Sequence, residues 1–318
     1  MEHNTVGVLG GSGFIGASVI NRLVARGHAV KVATRRRPHA QHLLMLPVDV
    51  VETDIHDPVR LTSFVSGCDA MINLVGILHD GIGDPYGPGF SVAHVELVQK
   101  LVAACRMTGV RRIVHNSALP ADPEGPSMYL RSKGDGERVL REARELRTTI
   151  FRPSVVFGPG DRFLNTFASL QRAFPVIPLA SPDTRFQPVF VGDLADALVN
   201  SIDLDLTLNM TYDVVGPHVY TLEELVRFVG VAIGHPRKII RLSAALAHLQ
   251  AVSFELMPGS PPITRDNLAS MTLDSISDVR LPPELGVQLT SLEAVAPDYL
   301  RGGTLQSRLA SYRAAAHR

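Results

Sequence analysis

Residues 6–35 read VGVLGGSGFIGASVINRLVARGHAVKVATR, and the reading of this stretch decides the fold. The run Val6–Leu9 is short, apolar and stopped by glycine, which suits a buried parallel strand. Gly10, Gly13 and Gly16 then follow with G-x-x-G-x-x-G spacing, while Gly11, Gly13 and Gly16 fit G-x-G-x-x-G. Ile15, Val19, Leu23 and Val24 recur at helical spacing, Gly27 stops that helix, and Ala29–Thr34 reads as a second strand. A dinucleotide turn needs one glycine to reverse the chain, one to admit a pyrophosphate and one to pack helix on strand. Strand, glycines, helix and strand in that order predict half of a dinucleotide-binding unit, with the amides of Ser12–Phe14 aimed at a phosphate.

The end of the second strand selects between cofactors. An acidic residue there would accept hydrogen bonds from a free ribose 2′-hydroxyl, but the chain has Thr34, Arg35, Arg36 and Arg37. Arg35 and Arg36 favour a 2′-phosphate, so NADP(H) is expected over NAD(H); a solvated basic loop is the competing account.

At 318 residues, the chain is long enough for a nucleotide domain plus a smaller appended one. Its 31 basic residues balance 31 acidic ones, which argues against a nucleic-acid partner recognised by bulk charge. Two cysteines, Cys68 and Cys105, rule out a disulfide framework and read as core thiols of a reducing compartment. The N-terminus shows no basic segment followed by a long apolar run, and no apolar stretch is long enough to span a bilayer. A cytoplasmic protein is expected, with no metal site, since no metal-ligand spacing occurs.

Further along, Val48–Val51 gives a third strand ending in Asp54 and Ile55, placed to accept from an adenine amino group and to cover the ring. Capping the next helix is the alternative role for Asp54 or Asp57, because Pro58 follows. Ala70–Val75 is a fourth strand, and Leu74, Val75 and Gly76 at its end would run close to the cofactor. His79–Phe90 is a Gly/Pro-rich loop at the substrate edge, Ser91–Met107 a helix, and Arg112–Asn116 a fifth strand leading to Ser117.

Tyr129 and Lys133 stand four apart on one helix face. An ammonium beside a phenol favours the phenolate, which would make Tyr129 a general acid or base near neutral pH. Ser117 would hydrogen-bond the reacting carbonyl or hydroxyl.

Together VLGGSGFIG, the strand-four end at Asn73–Gly76, Ser117, Tyr129 with Lys133, and RPSVVFGP at 152–159 resemble a short-chain dehydrogenase/reductase of the extended or atypical branch. MYLRSKGDGE, RPSVVFGPGDRFLN, QPVFVGDLADAL and LEAVAPDYL are more narrowly similar to bacterial relatives of the nucleotide-binding accessory subunit of mitochondrial complex I. The resemblance implies that Gly10, Gly13, Phe14, Ile15 and Gly16 hold the pyrophosphate and Arg35 the 2′-phosphate. It further implies that Tyr129 and Lys133 touch the nicotinamide ribose, with Pro153 and Val156 near the carboxamide. Where many family members place a catalytic asparagine this chain has His94, either a proton relay or a structural residue.

Strand six is expected over Thr149–Phe157, with Arg152 reaching a phosphate or pairing with an acid. Asp161–Leu164 opens a helix whose Phe163, Phe167 and Leu170 read as core, Phe186–Val191 is a strand, and Asp193 caps the next helix. The predicted architecture is an α/β Rossmann doubly wound parallel sheet over residues 1–205, to which some later segments can return, with a smaller C-terminal α/β domain over 206–318 that meets substrate or partner. In the second domain Tyr212–Val215 and Ile239–Leu242 read as strands and Thr221–Glu224 as a capping box. Leu242–Leu256 reads as an apolar helix that packs within the domain, seals the cleft or docks on a partner. Met257–Pro262 is a turn-rich break, and Ser307–Arg318 a basic terminal helix.

Two functions fit. One is an NADP(H)-dependent oxidoreductase acting on a carbonyl or alcohol of a small apolar molecule. The other is a non-catalytic NADPH-binding protein with an assembly role in respiratory or quinone-linked metabolism, in peripheral contact with a membrane or a respiratory complex.

Overall fold

The computed structural model describes residues 5–256 and 261–302. The basic terminal helix expected at 307–318, and residues 257–260 of the expected break, lie outside the described residues. The chain divides into two compact units: one comprises Met1–Pro153, Gly192–Val214 and Val279–Val287, the other Ser154–Val191, Val215–Asp278 and Gln288–Arg318. The units therefore interleave along the chain, where the sequence suggested a main boundary at 206.

In the first unit β1 (Thr5–Leu9), α1 (Phe14–Ala25), β2 (Ala29–Thr34) and β3 (Val48–Glu52) are followed by α2 (Pro58–Val65) and β4 (Ala70–Asn73). Helix α2 starts on Pro58 and is capped by Asp57, whose carboxylate accepts from the amides of Val59 and Arg60. After β4, a single turn, α3 (Pro88–Phe90), enters a π-helical segment, Ser91–Glu96, that runs on as α4 (Leu97–Thr108). The sequence predicts a regular helix here; the wide turn puts the side chain of His94 into the interior, 2% exposed. Then come β5 (Arg112–Asn116), α5 (Met128–Glu142) and β6 (Arg147–Pro153).

The sheet runs β3-β2-β1-β4-β5-β6-β11 with every neighbouring pair parallel, the last strand being β11 (Met210–Val214). Strand order reverses between β1 and β4, which opens a crevice beyond their carboxyl ends. Leu9, Met71, Leu97, Leu101, Ile113 and Ile150 pack into one core on the α2–α4–α5 side. Cys68 and Cys105 lie buried and unpaired in that core, as free thiols. The strand read at Tyr212–Val215 belongs to this sheet, not to the appended domain, because it hydrogen-bonds β6 from Met210 to Val214.

The second unit has its own core. Strand six as predicted breaks into β6 and β7 (Val156–Phe157); α6 (Phe163–Ala173) follows, then β8 (Val176–Leu179). The strand read at Phe186–Val191 is two short pieces, β9 (Arg185–Phe186) and β10 (Val189–Phe190), the second parallel to β7. The chain then returns to the first unit in α7 (Val191–Asn200), where Asp193 lies in the first turn rather than at the cap position. Beyond β12 (Tyr220–Thr221), α8 (Leu222–Ala232) starts on a capping box in which Thr221 and Glu224 satisfy each other's amides. β13 (Lys238–Arg241) pairs with β8, and α9 (Ala244–Glu255) buries only Ala247 and Ala251, leaving Leu246 and Leu249 exposed. α10 (Arg265–Ser270) and α11 (Leu292–Leu300) complete it. Phe157, Leu164, Leu225, Val229 and Leu292 form its centre, with Phe163 and Phe167 packed against them as expected of core residues.

Candidate functional site

At the crevice the β1–α1 turn is shaped by its glycines. Gly10 adopts φ +78°, and a Cβ there would stand 3.0 Å from the carbonyl carbon of Leu74 and 3.1 Å from the amide of Val75. A Cβ on Gly16 would collide with the carbonyl oxygens of Gly11 and Gly10, the latter at 2.5 Å. Main chain from β1, β4 and α1 is thus brought into mutual contact, as a pyrophosphate cradle requires. The cap position of α1 is Gly13, with no side-chain cap on the leading amides near Ser12, Phe14 and Ile15 and no acid in the first turn.

Arg35 and Arg36 follow β2 on the surface, and neither guanidinium has a partner among the described residues. Their turn is set by Thr34, whose hydroxyl donates to the Arg36 carbonyl, and by Glu52, which accepts from the Arg37 amide. Of the two roles read for Asp54, the cap belongs to Asp57; Asp54 is exposed and accepts from the His56 amide beside buried Ile55.

On the other side of the crevice, Gly76 follows β4 so closely over α5 that an added Cβ would lie 3.4 Å from Lys133 Nζ and 3.6 Å from His94 Nε2. Lys133 is buried and its ammonium donates to the Asn116 carbonyl at 3.1 Å. Burial pulls this lysine down to about 8, with the charge of Glu137 opposing the shift. Tyr129, one turn earlier, packs edge-on to His94 with ring centroids 5.7 Å apart, and Phe90 stacks on the same histidine at 5.4 Å while lying 6.0 Å from the Tyr129 ring. The sequence reading expects the lysine to draw the phenol's pKa down. Burial wins instead and pushes it up, so Tyr129 carries its proton throughout the neutral range.

His94 is a hydrogen-bonded neutral residue. Its Nε2 accepts from the Ile77 amide at 3.1 Å, so the ring proton sits on Nδ1 and is given to Ser132 Oγ at 2.8 Å. Ser132 in turn donates to the Tyr129 carbonyl. Burial and the nearby Lys133 ammonium hold the imidazole at about 2, so it does not titrate near neutrality. Between the two roles left open for this histidine, the geometry is that of the structural one.

Ser117 is 2% exposed and its hydroxyl donates to the Glu137 carboxylate at 2.5 Å, so its proton is committed inside the protein. Arg152 grips the same carboxylate with two nitrogens, at 2.9 and 2.6 Å, and thus pairs with an acid. Arg141 adds a third donor. Pro153 ends β6, its carbonyl accepting from the Leu119 amide, while Val156 lies in β7 of the second unit, opposite Val189. The His79–Phe90 loop is tied to α5 through Arg131, which donates twice to the Pro85 carbonyl, and through Tyr86 on Asp135.

The structure therefore gathers Lys133, Gly76, His94 and Tyr129 around one spot at the carboxyl edge of the sheet. Glu137 and Ser132 escaped the sequence reading. Glu137 stands four residues beyond Lys133 on the helix, a spacing that could have flagged it; Ser132 carried no such signal.

A parallel sheet with this switch point, glycine turn and Tyr-Lys helix defines an NAD(P)-binding Rossmann protein of the extended short-chain dehydrogenase/reductase branch. The model of the NAD dependent epimerase/dehydratase family matches residues 6–209, and the chain belongs to that family. Mouse NADH dehydrogenase (ubiquinone) 1 alpha subcomplex subunit 9, mitochondrial, is 30% identical over 305 residues, 92% of this chain and 79% of that protein. The ceramide reductase of Caulobacter vibrioides is 27% identical, over 74% of this chain and 73% of its own. Among solved structures, an NADPH-dependent quinone oxidoreductase of Escherichia coli complexed with NADPH superposes with TM-score 0.73 at 19% identity, covering 93% of this chain and 99% of that one. No helix among the described residues is long and apolar enough to cross a membrane.

Proposed function

We propose that the chain is an NADP(H)-dependent reductase that converts a carbonyl of a small apolar molecule to an alcohol. The observation that carries this reading is the meeting of the Gly10–Gly16 cradle, the Gly76 turn and the buried Lys133 at one crevice of the first unit. Bound NADP(H) would supply the hydride. The α1 amides would hold its diphosphate, Arg35 and Arg36 its 2′-phosphate, Asp54 and Ile55 its adenine, and Leu74, Val75 and Gly76 the opposite wall. Lys133, with its proton, would bind the ribose hydroxyls, and Pro153 at the end of β6 would flank the carboxamide.

Tyr129, kept protonated by burial, would give its phenolic proton to the substrate oxygen as that oxygen gains charge, which suits reduction better than oxidation. Ser117 has only lone pairs to offer in this arrangement, so it would accept from a hydroxyl and leave Tyr129 as the donor. The Caulobacter relative's name supports an apolar lipid as the substrate class. The test is Tyr129→Phe, assayed by oxidation of NADPH with long-chain ketones and ceramide precursors. Turnover should fall by about 1,000-fold while NADPH affinity stays within about threefold; undiminished turnover removes Tyr129 from the mechanism.

The likeness to the mouse subunit along 92% of the chain favours a second reading, a non-catalytic NADPH-binding protein assembled into a respiratory complex or at its membrane. Protein purified with NADPH that no ketone or quinone oxidises, and that binds complex I subunits, would select it. A cytoplasmic site of action belongs to the first reading and is checked by fractionation.

A further inference from the structure

We infer that Glu137 is a positioning residue of the nucleotide site, which fixes the Ser117 hydroxyl and supplies the fixed negative charge against which the buried Lys133 ammonium is held. This rests on the nucleotide reading above. Glu137 has no solvent exposure, an uncommon place for a carboxylate unless it is fully paired. Its oxygens receive Ser117 from the end of β5, a two-nitrogen fork from Arg152 on β6, and Arg141 one turn along α5. One carboxylate thereby ties together the two strand ends and the helix that carries Tyr129 and Lys133.

The electrostatic half follows from what faces Lys133. Its ammonium touches the Asn116 carbonyl, and the groups around it are Glu137 on its own helix, His94 from the π-helical turn and His115 from β5. Both histidines are neutral because burial and Lys133 hold them at about 2 and about 3. Glu137 is then the anion that opposes Lys133's desolvation, and Arg152 and Arg141 temper its field. A protonated Lys133 is the form that can donate to ribose hydroxyls and attract the diphosphate.

The experiment is the pH dependence of NADPH and NADH binding to the full chain, followed by nicotinamide fluorescence from about pH 7 to about pH 10. In the wild type the dissociation constant should begin to climb near the Lys133 value of about 8. In Glu137→Gln the climb should start about one pH unit lower, giving an affinity loss of about fivefold at the wild-type midpoint and about tenfold well above it. Glu137→Asp should restore the wild-type onset. Arg152→Gln, which removes a countercharge and leaves the carboxylate, should move the onset upward; this opposite sign keeps the inference open to refutation even if Glu137→Gln fails to fold. An onset unmoved in Glu137→Gln, or unmoved or lowered in Arg152→Gln, overturns the role of Glu137 while nucleotide binding stands. Wild-type protein that binds neither nucleotide overturns the nucleotide reading and this inference with it.

Discussion

At the β1–α1 turn the crevice wall is main chain, with Gly10 against Leu74 and Val75 and Gly16 against the carbonyls of Gly10 and Gly11. At the α5 side the wall is made of side chains: Lys133 on the Asn116 carbonyl, His94 bridging Ile77 and Ser132, and Glu137 holding Ser117 and two arginines. Backbone amides have no titration near neutrality and depend only on shape. Buried charges depend on one another and on pH. The first side should therefore fail abruptly when volume is added and ignore pH, and the second should change by degrees and follow pH.

The sharpest way to break that contrast is Gly16→Val. Its Cβ alone would overlap two carbonyl oxygens, so NADPH affinity should fall by about 100-fold or more, equally at every pH, with a lowered melting temperature. A pH-dependent loss would mean that the turn is not a purely steric cradle. Arg35→Ser tests the edge of the same side: NADPH binding should weaken by about tenfold with NADH unchanged, and parallel losses would assign this arginine to the solvated loop.

Lys133→Met has the smallest expected signal, and it falls in stability. The lysine is lowered to about 8 from its ordinary 10.5, so the folded state releases its proton before the unfolded state does. Below pH 8 the buried charge is a full burden, which lifts as pH rises from about 8 to 10.5. Wild-type stability should gain over that window. Lys133→Met should be the more stable at pH 7 and lack the gain, as read by melting temperature against pH; parallel curves would contradict a desolvated ammonium.

The same contrast explains how far the chain could be read in advance. Ala29–Thr34 and Arg112–Asn116 occupy the residues predicted, because a buried parallel strand announces itself by a short apolar run within its own sequence. Strand β11 was placed with the wrong neighbours, since its partner β6 lies some sixty residues earlier, as Met210 opposite Thr149 illustrates, and nothing local names that partner. Strand six was read through Ser154 and Val155, where the chain passes from one compact unit to the other.

What the sequence by itself determined is the nucleotide half: strand, glycine turn, helix and arginine-tipped second strand, all within 30 residues whose apolar periodicity and glycine spacing are local signals. What only the tertiary structure decided is the electrostatic state of the other half. The Tyr129–Lys133 spacing was legible, but the direction of the phenol's shift was not, because the phenol is desolvated by packing against residues such as Phe90 of α3 and His94 of the π-helical segment rather than governed by the lysine next door. The tautomer of His94, the committed proton of Ser117 and the Arg152 clamp on Glu137 depend likewise on atoms brought together across 15 to 38 residues of chain, where charge and hydrogen bonding follow distance in space and not in sequence.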